Sequence, residues 1–124
     1  MLPALTLIMF LPGVPCIFYG DEAGLEGCED PFNRRYFPWG KENVQILEFV
    51  RKLGKIRAGK KQLAKGDYET LVSENGVFVF RRENLVIGTN ISDEPFLLDK
   101  KYRNIISGKF VDKLLPYESL VTQL

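Results

Sequence analysis

Residues 12–35 read Pro12-Gly13-Val14-Pro15-Cys16-Ile17-Phe18-Tyr19-Gly20-Asp21-Glu22-Ala23-Gly24-Leu25-Glu26-Gly27-Cys28-Glu29-Asp30-Pro31-Phe32-Asn33-Arg34-Arg35. A short apolar run opens abruptly into a glycine-rich, acid-rich loop that ends in paired arginines. Cys16 to Tyr19 is apolar on both alternating faces and is bracketed by Pro12, Gly13 and Pro15 before it and Gly20 after it. That pattern predicts a strand over Val14 to Tyr19 buried on both sides, the kind found in parallel α/β sheets. Ligand sites in such sheets gather at the carboxyl ends of the strands. Asp21, Glu22, Glu29, Asp30, Arg34 and Arg35 all follow that end, where an α/β enzyme keeps its binding loops.

Working outward, Met1 to Tyr19 is nearly uncharged, which raises a membrane reading. A spanning helix needs about 20 apolar residues, and a signal peptide needs a basic start and a small-residue cleavage site. Pro12, Gly13 and Pro15 interrupt any helix in mid-run and no Lys or Arg precedes it, so the segment divides into a helix near Leu2 to Leu11 and the strand. Downstream, Val44, Leu47, Val50 and Leu53 recur at three-residue spacing, with Ile46, Phe49 and Ile56 widening the stripe. This predicts a helix over about Glu42 to Ala58. Lys52, Lys55, Arg57, Lys60 and Lys61 crowd its carbonyl end and complement the helix dipole there; the expectation is a solvated helix end.

From Leu63 onward the period becomes strand-like. Tyr68 to Ser73, Val77 to Arg82, Leu85 to Asn90, Phe96 to Leu98, Tyr102 to Ile106, Lys109 to Asp112 and Leu120 to Leu124 read as short strands. Asn75-Gly76 supplies a tight hairpin, and Arg82-Glu83-Asn84, Ser92-Asp93-Glu94-Pro95 and Ser107-Gly108 mark further turns. The expected fold class is α+β: two helices and one strand, then an all-β antiparallel sandwich, with the boundary between residues 60 and 61.

Composition fits a globular chain of 124 residues, 45% hydrophobic and 27% charged. Seventeen basic and sixteen acidic side chains give a net charge of +1, which offers no electrostatic basis for nucleic-acid binding or for an anionic membrane partner. The basic cluster around Lys60 lacks interleaved aromatics and an overall basic balance. Cys16 and Cys28 have no metal-ligand spacing and the chain has no histidine, so no metal and no cofactor are expected. Both cysteines are expected as free thiols in a reducing cytosol, giving a cytoplasmic location.

Gly13-x-Pro15-x-Ile17-x-Tyr19-Gly20-x-Glu22, followed by Asp30-Pro31-Phe32-Asn33-Arg34, resembles the last barrel strand and following loop of the alpha-amylase superfamily of glycoside hydrolases. The continuation Arg35-Tyr36-Phe37-Pro38-Trp39 is most similar to the neopullulanase, cyclomaltodextrinase and maltogenic amylase branch. Two linked motifs in the right order make the resemblance specific; it is tight over Leu11 to Trp39 and looser beyond. Such enzymes carry a complete (β/α)8 barrel of roughly 250 residues, so this chain is expected to match only the C-terminal end of one. Residues 1–60 would be the remnant of the barrel and residues 61–124 the C-terminal β domain.

The resemblance implies a longer enzyme that acts on α-linked glucans such as starch, maltooligosaccharides or cyclodextrins. Retaining glycoside hydrolysis needs two carboxylates about 5 to 5.5 Å apart. The family's three catalytic acids lie on earlier barrel strands, so no catalytic residue is expected here and the 124-residue chain is expected to be inactive. By the same resemblance Asp30 and Arg34 would contact a glucose unit: a carboxylate accepts from a pair of hydroxyls while a guanidinium donates in a fixed fork. The competing reading is that the two merely pair to brace the loop. Tyr19, Gly20 and Glu22 are expected to be structural at the strand end, and Arg35 has no assigned role. Phe32, Tyr36, Phe37 and Trp39 have flat apolar rings suited to the CH faces of glucose. For Trp39, stacking and packing both stay open, whereas packing is expected for the other three.

An unpaired barrel strand and a helix lacking its neighbours would leave apolar surface that favours a homo-oligomer. A reading from a different class is a non-catalytic carbohydrate-binding or assembly module.

Overall fold

The computed structural model describes residues 1–124. Helix α1 spans Leu2–Phe10, with Pro3 in its first turn, where the missing N–H is no loss, and stops at Leu11, whose extended backbone leads into Pro12. Helix α2 spans Val44–Ala58. Its first turn is capped by the Asn43 side chain, which accepts from the N–H groups of Gln45 at 3.1 Å and Ile46 at 3.2 Å. A further short helix, α3, spans Gln62–Lys65. No helix is long and apolar enough to cross a membrane.

Six strands follow: β1 Tyr68–Glu74, β2 Val77–Arg82, β3 Leu85–Asn90, β4 Phe96–Arg103, β5 Phe110–Leu114 and β6 Ser119–Gln123. β1, β2, β3 and β6 form a four-stranded sheet in that spatial order, while β4 and β5 form a separate pair; every pairing is antiparallel. The predicted turn at Asn75-Gly76 closes the β1–β2 hairpin with positive φ at both residues, 47° and 78°, as a type I′ turn requires. β4 is longer than the sequence pattern indicates: it absorbs both Phe96 to Leu98 and the start of Tyr102 to Ile106, with a register shift between Leu97 and Tyr102. The break in alternation at Asp99-Lys100-Lys101 is this irregularity rather than a loop.

β3 is buried at all six positions because both of its faces are covered. Leu85 and Ile87 face the helices, sharing a core with Leu5, Met9 and Phe10 of α1, Leu53 of α2, Leu63 of α3, Phe80 of β2 and Val121 of β6. Val86 points the other way, into a smaller cluster with Val77 and Val79, against which Phe96 of β4 packs. Helices, four-stranded sheet and β4–β5 pair thus make three layers, and the larger core runs without a break from α1 to β6. Full burial of a Leu or Phe side chain stabilises by about 1.5–3 kcal/mol, so this core is what holds α1 to the sheet.

Two arginines secure the carbonyl end of α1. Arg82 is only 2% exposed and donates to the carbonyl of Phe10 at 3.1 Å, of Leu63 at 2.9 Å and of Gly66 at 3.3 Å. Arg57, from the last turn of α2, donates to the carbonyls of Met9 and Gly13. The basic end of α2 is therefore not wholly solvated: Arg57 clamps a neighbouring helix. Burial first, and the nearby Arg82 charge second, hold the Arg57 guanidinium below its ordinary value.

The segment predicted as a buried strand is corrected in its environment. Residues 14–18 carry no sheet hydrogen bonds, Val14 is 93% exposed and Phe18 59%, and Cys16 is exposed as well. Only Ile17 packs against the main core. A strand is stabilised by neighbours on both sides, and no parallel partner lies among these 124 residues, so an intrinsically strand-like sequence stays without a ladder.

Candidate functional site

The loop from Gly20 to Asn43 is pinned at both ends. Gly20 is buried in the left-handed region at φ +94°, and a β-carbon there would lie 2.7 Å from Leu25 Cδ2, so only glycine fits. Its carbonyl accepts from the N–H of Ala23 and of Leu25, both at 2.9 Å, and its own N–H donates to Glu22 Oε2 at 2.9 Å. Glu22 thus closes the turn locally, and Asp21–Ala23 form one turn of 3-10 helix behind it. At the other end the N–H of Asn43 donates to the Ala23 carbonyl at 2.8 Å, bringing the start of α2 against this turn.

Between those anchors the loop reverses at residues 29–34, where Phe32 N–H donates to the Glu29 carbonyl at 2.8 Å and Arg34 N–H to that of Pro31 at 3.1 Å. The Asp30–Pro31 peptide is cis. The reversal places Arg34 against Asp30: Nε donates to Oδ1 at 2.8 Å and Nη2 to Oδ2 at 3.3 Å, a two-pronged contact. Both side chains are exposed. An exposed pair of this kind contributes at most about 1 kcal/mol to stability, so its main effect is to fix the direction of the two groups. A guanidinium has five N–H donors; two face Asp30, which leaves three for an outside acceptor.

Arg35, which had no assigned role, is the residue that ties the loop together. Its Nη1 donates to the Glu26 carbonyl at 3.1 Å, and its own carbonyl accepts from the Tyr19 hydroxyl at 3.1 Å. Tyr19 therefore joins the end of the 14–19 segment to the far arm of the loop. Trp39 is 81% exposed, its ring tilted against that of Phe37 with centroids 4.5 Å apart. The packing expected for the neighbouring rings does not extend to Phe32, 74% exposed, or Tyr36, 99% exposed. Asp30, Arg34, Tyr19, Gly20 and Glu22 all lie on this one loop system, as does Trp39 at its end. An open cleft of about 820 Å³ runs along it, lined by Cys28, Pro31, Phe32, Arg34, Arg35 and Tyr36.

A second cavity, about 480 Å³, lies between the four-stranded sheet and β4 and is lined by Val79, Val86, Phe96, Leu120 and Tyr102, with Asp99 as its charged member. Burial first, then the hydrogen bond from the Tyr102 hydroxyl to Asp99 and the charge of Asp99, push the Tyr102 phenol up from its ordinary value. So apolar a lining offers few partners to a polyhydroxylated ligand, whereas the loop cleft offers donors and flat rings together.

Comparison with known proteins agrees with the loop motifs. No family model matches the chain. An amylopullulanase of Thermoanaerobacter thermohydrosulfuricus is 47% identical over 79 residues, which is 64% of this chain and 5% of that protein. A cyclomaltodextrinase of Thermoanaerobacter pseudethanolicus is 34% identical over 112 residues, 86% of this chain and 19% of that protein. Among solved structures, a maltogenic amylase from S. marinus superposes with a TM-score of 0.85 at 31% identity, covering 98% of this chain and 19% of its own. The chain spans only a small part of the length of each. Over that part it is homologous to amylopullulanase, cyclomaltodextrinase and maltogenic amylase, and its structural neighbours lie in the alpha-amylase family.

Proposed function

We propose that the chain is the recognition and scaffolding end of an alpha-amylase-type glycosidase acting on α-linked glucans, without catalytic groups of its own. In this reading residues 1–60 derive from the end of the catalytic barrel and residues 61–124 form the C-terminal β domain. The arrangement of the elements supports that division, since α1 and α2 lie in the first part and all six strands in the second. The observation that carries the reading is the two-pronged Asp30–Arg34 pair, exposed and aimed by a pinned loop, in a chain homologous to glucan-processing enzymes. Asp30 accepts from sugar hydroxyls, Arg34 donates through its unused N–H groups, and the exposed Trp39 ring offers a face at the loop's end. Tyr19, Gly20 and Glu22 hold the loop rather than touch sugar.

The exposed thiols of Cys16 and Cys28 support a reducing, cytoplasmic setting. The exposed Val14 and Phe18 support a further reading, that the chain associates with itself through the 14–19 segment.

Titration of the isotopically labelled chain with maltohexaose, followed by amide chemical shifts, tests the central reading. Millimolar binding with shifts confined to residues 26–39, and no release of reducing sugar, is the expected result. Shifts confined to β4 and β5 instead would support a carbohydrate-binding module, and turnover by the chain alone would refute the absence of catalysis.

A further inference from the structure

The cleft beside Arg34 is lined by two aromatic rings that the ion pair does not explain. Phe32, between Asp30 and Arg34 in sequence, and Tyr36, two residues beyond Arg34, both line it, and both are exposed. Trp39 is not among the lining residues; its ring rests on Phe37 instead. A tyrosine 99% exposed contributes no burial to the fold of this chain, so its aromatic character is not explained by packing here. Nor is it on a loose tip. The preceding residue, Arg35, is held twice, by its own guanidinium on the Glu26 carbonyl and by the Tyr19 hydroxyl on its carbonyl. A ring carried next to a doubly anchored residue is presented with less ordering cost than one on a free loop.

We infer that Tyr36, with Phe32 in the same cleft, is a second sugar-stacking platform, which binds the apolar face of a glucose unit there while Asp30 and Arg34 engage its hydroxyls. The inference rests on the glucan reading above and adds to it the residues that would discriminate a sugar from a generic hydroxylated ligand. A pyranose has one face of CH groups and an equatorial rim of hydroxyls. The cleft pairs rings with a carboxylate and a guanidinium, which is the complementary set. A small anion would use Arg34 and Arg35 alone and would be indifferent to the rings.

The test is binding of maltohexaose to the full 124-residue chain and to single variants. Because Tyr36 makes no buried contact, Tyr36→Ala is expected to keep the fold, checked by circular dichroism. It should weaken binding by about two- to tenfold, the range of one aromatic contact. Tyr36→Phe should bind as the unaltered chain does, because stacking needs the ring and not the hydroxyl. Asp30→Asn and Arg34→Gln report separately on the underlying reading. If those two weaken binding and Tyr36→Ala does not, the platform is refuted and the glucan reading stands. If neither pair matters, or the unaltered chain does not bind, both fall. Loss of binding in Trp39→Ala with none in Tyr36→Ala would also overturn the platform. Equal weakening by Tyr36→Ala of inorganic phosphate binding would show that the ring is not selecting sugar, and would overturn it too.

Discussion

Replacing Arg82 by methionine should cost this chain a large share of its stability, although the substitution removes a buried charge that has no carboxylate partner. Three carbonyls accept from this one guanidinium, and the contacts to Phe10 and Leu63 are buried. Left without a donor, each buried carbonyl costs about 1–3 kcal/mol, or about 2–6 kcal/mol for the two. Several effects oppose this. Methionine follows the same path with an apolar stem, the desolvation of the guanidinium is relieved, and the buried Nε that now lacks a partner disappears. So does the repulsion with Arg57. What remains after substitution is neutral carbonyl oxygen rather than a stranded charge, so the net loss should fall in the lower part of the range, about 2–4 kcal/mol. Against a total of about 5–15 kcal/mol for a domain, that lowers the thermal midpoint by about 8–16 °C.

Urea denaturation supplies the free energy, and amide exchange supplies the location. In Arg82→Met the Leu11 amide, which donates to the Leu7 carbonyl at the end of α1, should lose protection before the β2–β3 ladder does. Arg81 is the matched control, one residue away on the opposite face of β2, where it pairs with Glu69 in solvent. Arg81→Met should change stability by no more than about 1 kcal/mol. If Arg82→Met is as stable as the unaltered chain, or more so, the argument fails: desolvation of the charge would then outweigh the hydrogen bonds it makes.

Two further outcomes are expected. The Tyr102 phenol is raised by burial first and by Asp99 second, and the Tyr117 phenol by its hydrogen bond to Asp93 first and the charge of Asp93 second. A raised folded-state value means that their contribution is complete below the unfolded value of about 10 and is lost as pH rises through the folded value, so stability should decline above about pH 10. Urea midpoints across that range should decline less steeply in a Tyr102→Phe, Tyr117→Phe double variant, and an equally steep decline would show that other groups are responsible. Light scattering should find concentration-dependent association that Val14→Asp with Phe18→Asp abolishes; a monomer at high concentration would rule out the exposed 14–19 segment as an interface.

The parts of the fold that were legible in the sequence are those set by local periodicity. β2 and β3 fall on their expected residues because Asn75-Gly76 and Glu83-Asn84 fix both turns and the β-branched and aromatic run Val77-Phe78-Val79-Phe80 between them favours a strand. The helix from Val44 likewise follows from its stripe. What periodicity could not supply was partnership. Val14 to Tyr19 has the composition of a sheet strand, but sheet formation is a property of two segments, and the second is not in this chain. The helical pattern alone places Arg57 on a solvated helix end, whereas its reach to the Met9 and Gly13 carbonyls depends on how α1 crosses α2.

Arg82 is the more instructive case, because its burial could have been found. On a strand with period two, residue 82 shares a face with Phe78 and Phe80, and Phe80 is buried under the helices. Residue 82 closes the expected strand Val77 to Arg82, so its place on the Phe80 face follows from that alternation. The same reasoning separates the two arginine pairs of the chain. Arg81 and Arg82 alternate across a strand, so one is structural and the other solvated; Arg34 and Arg35 sit on a loop where no face is buried, so both stay open to solvent. There the division of labour comes from hydrogen bonding: Arg35 is committed to the Glu26 carbonyl and fixes the loop, which leaves Arg34, held by Asp30 and with N–H groups to spare, as the cation able to meet a ligand.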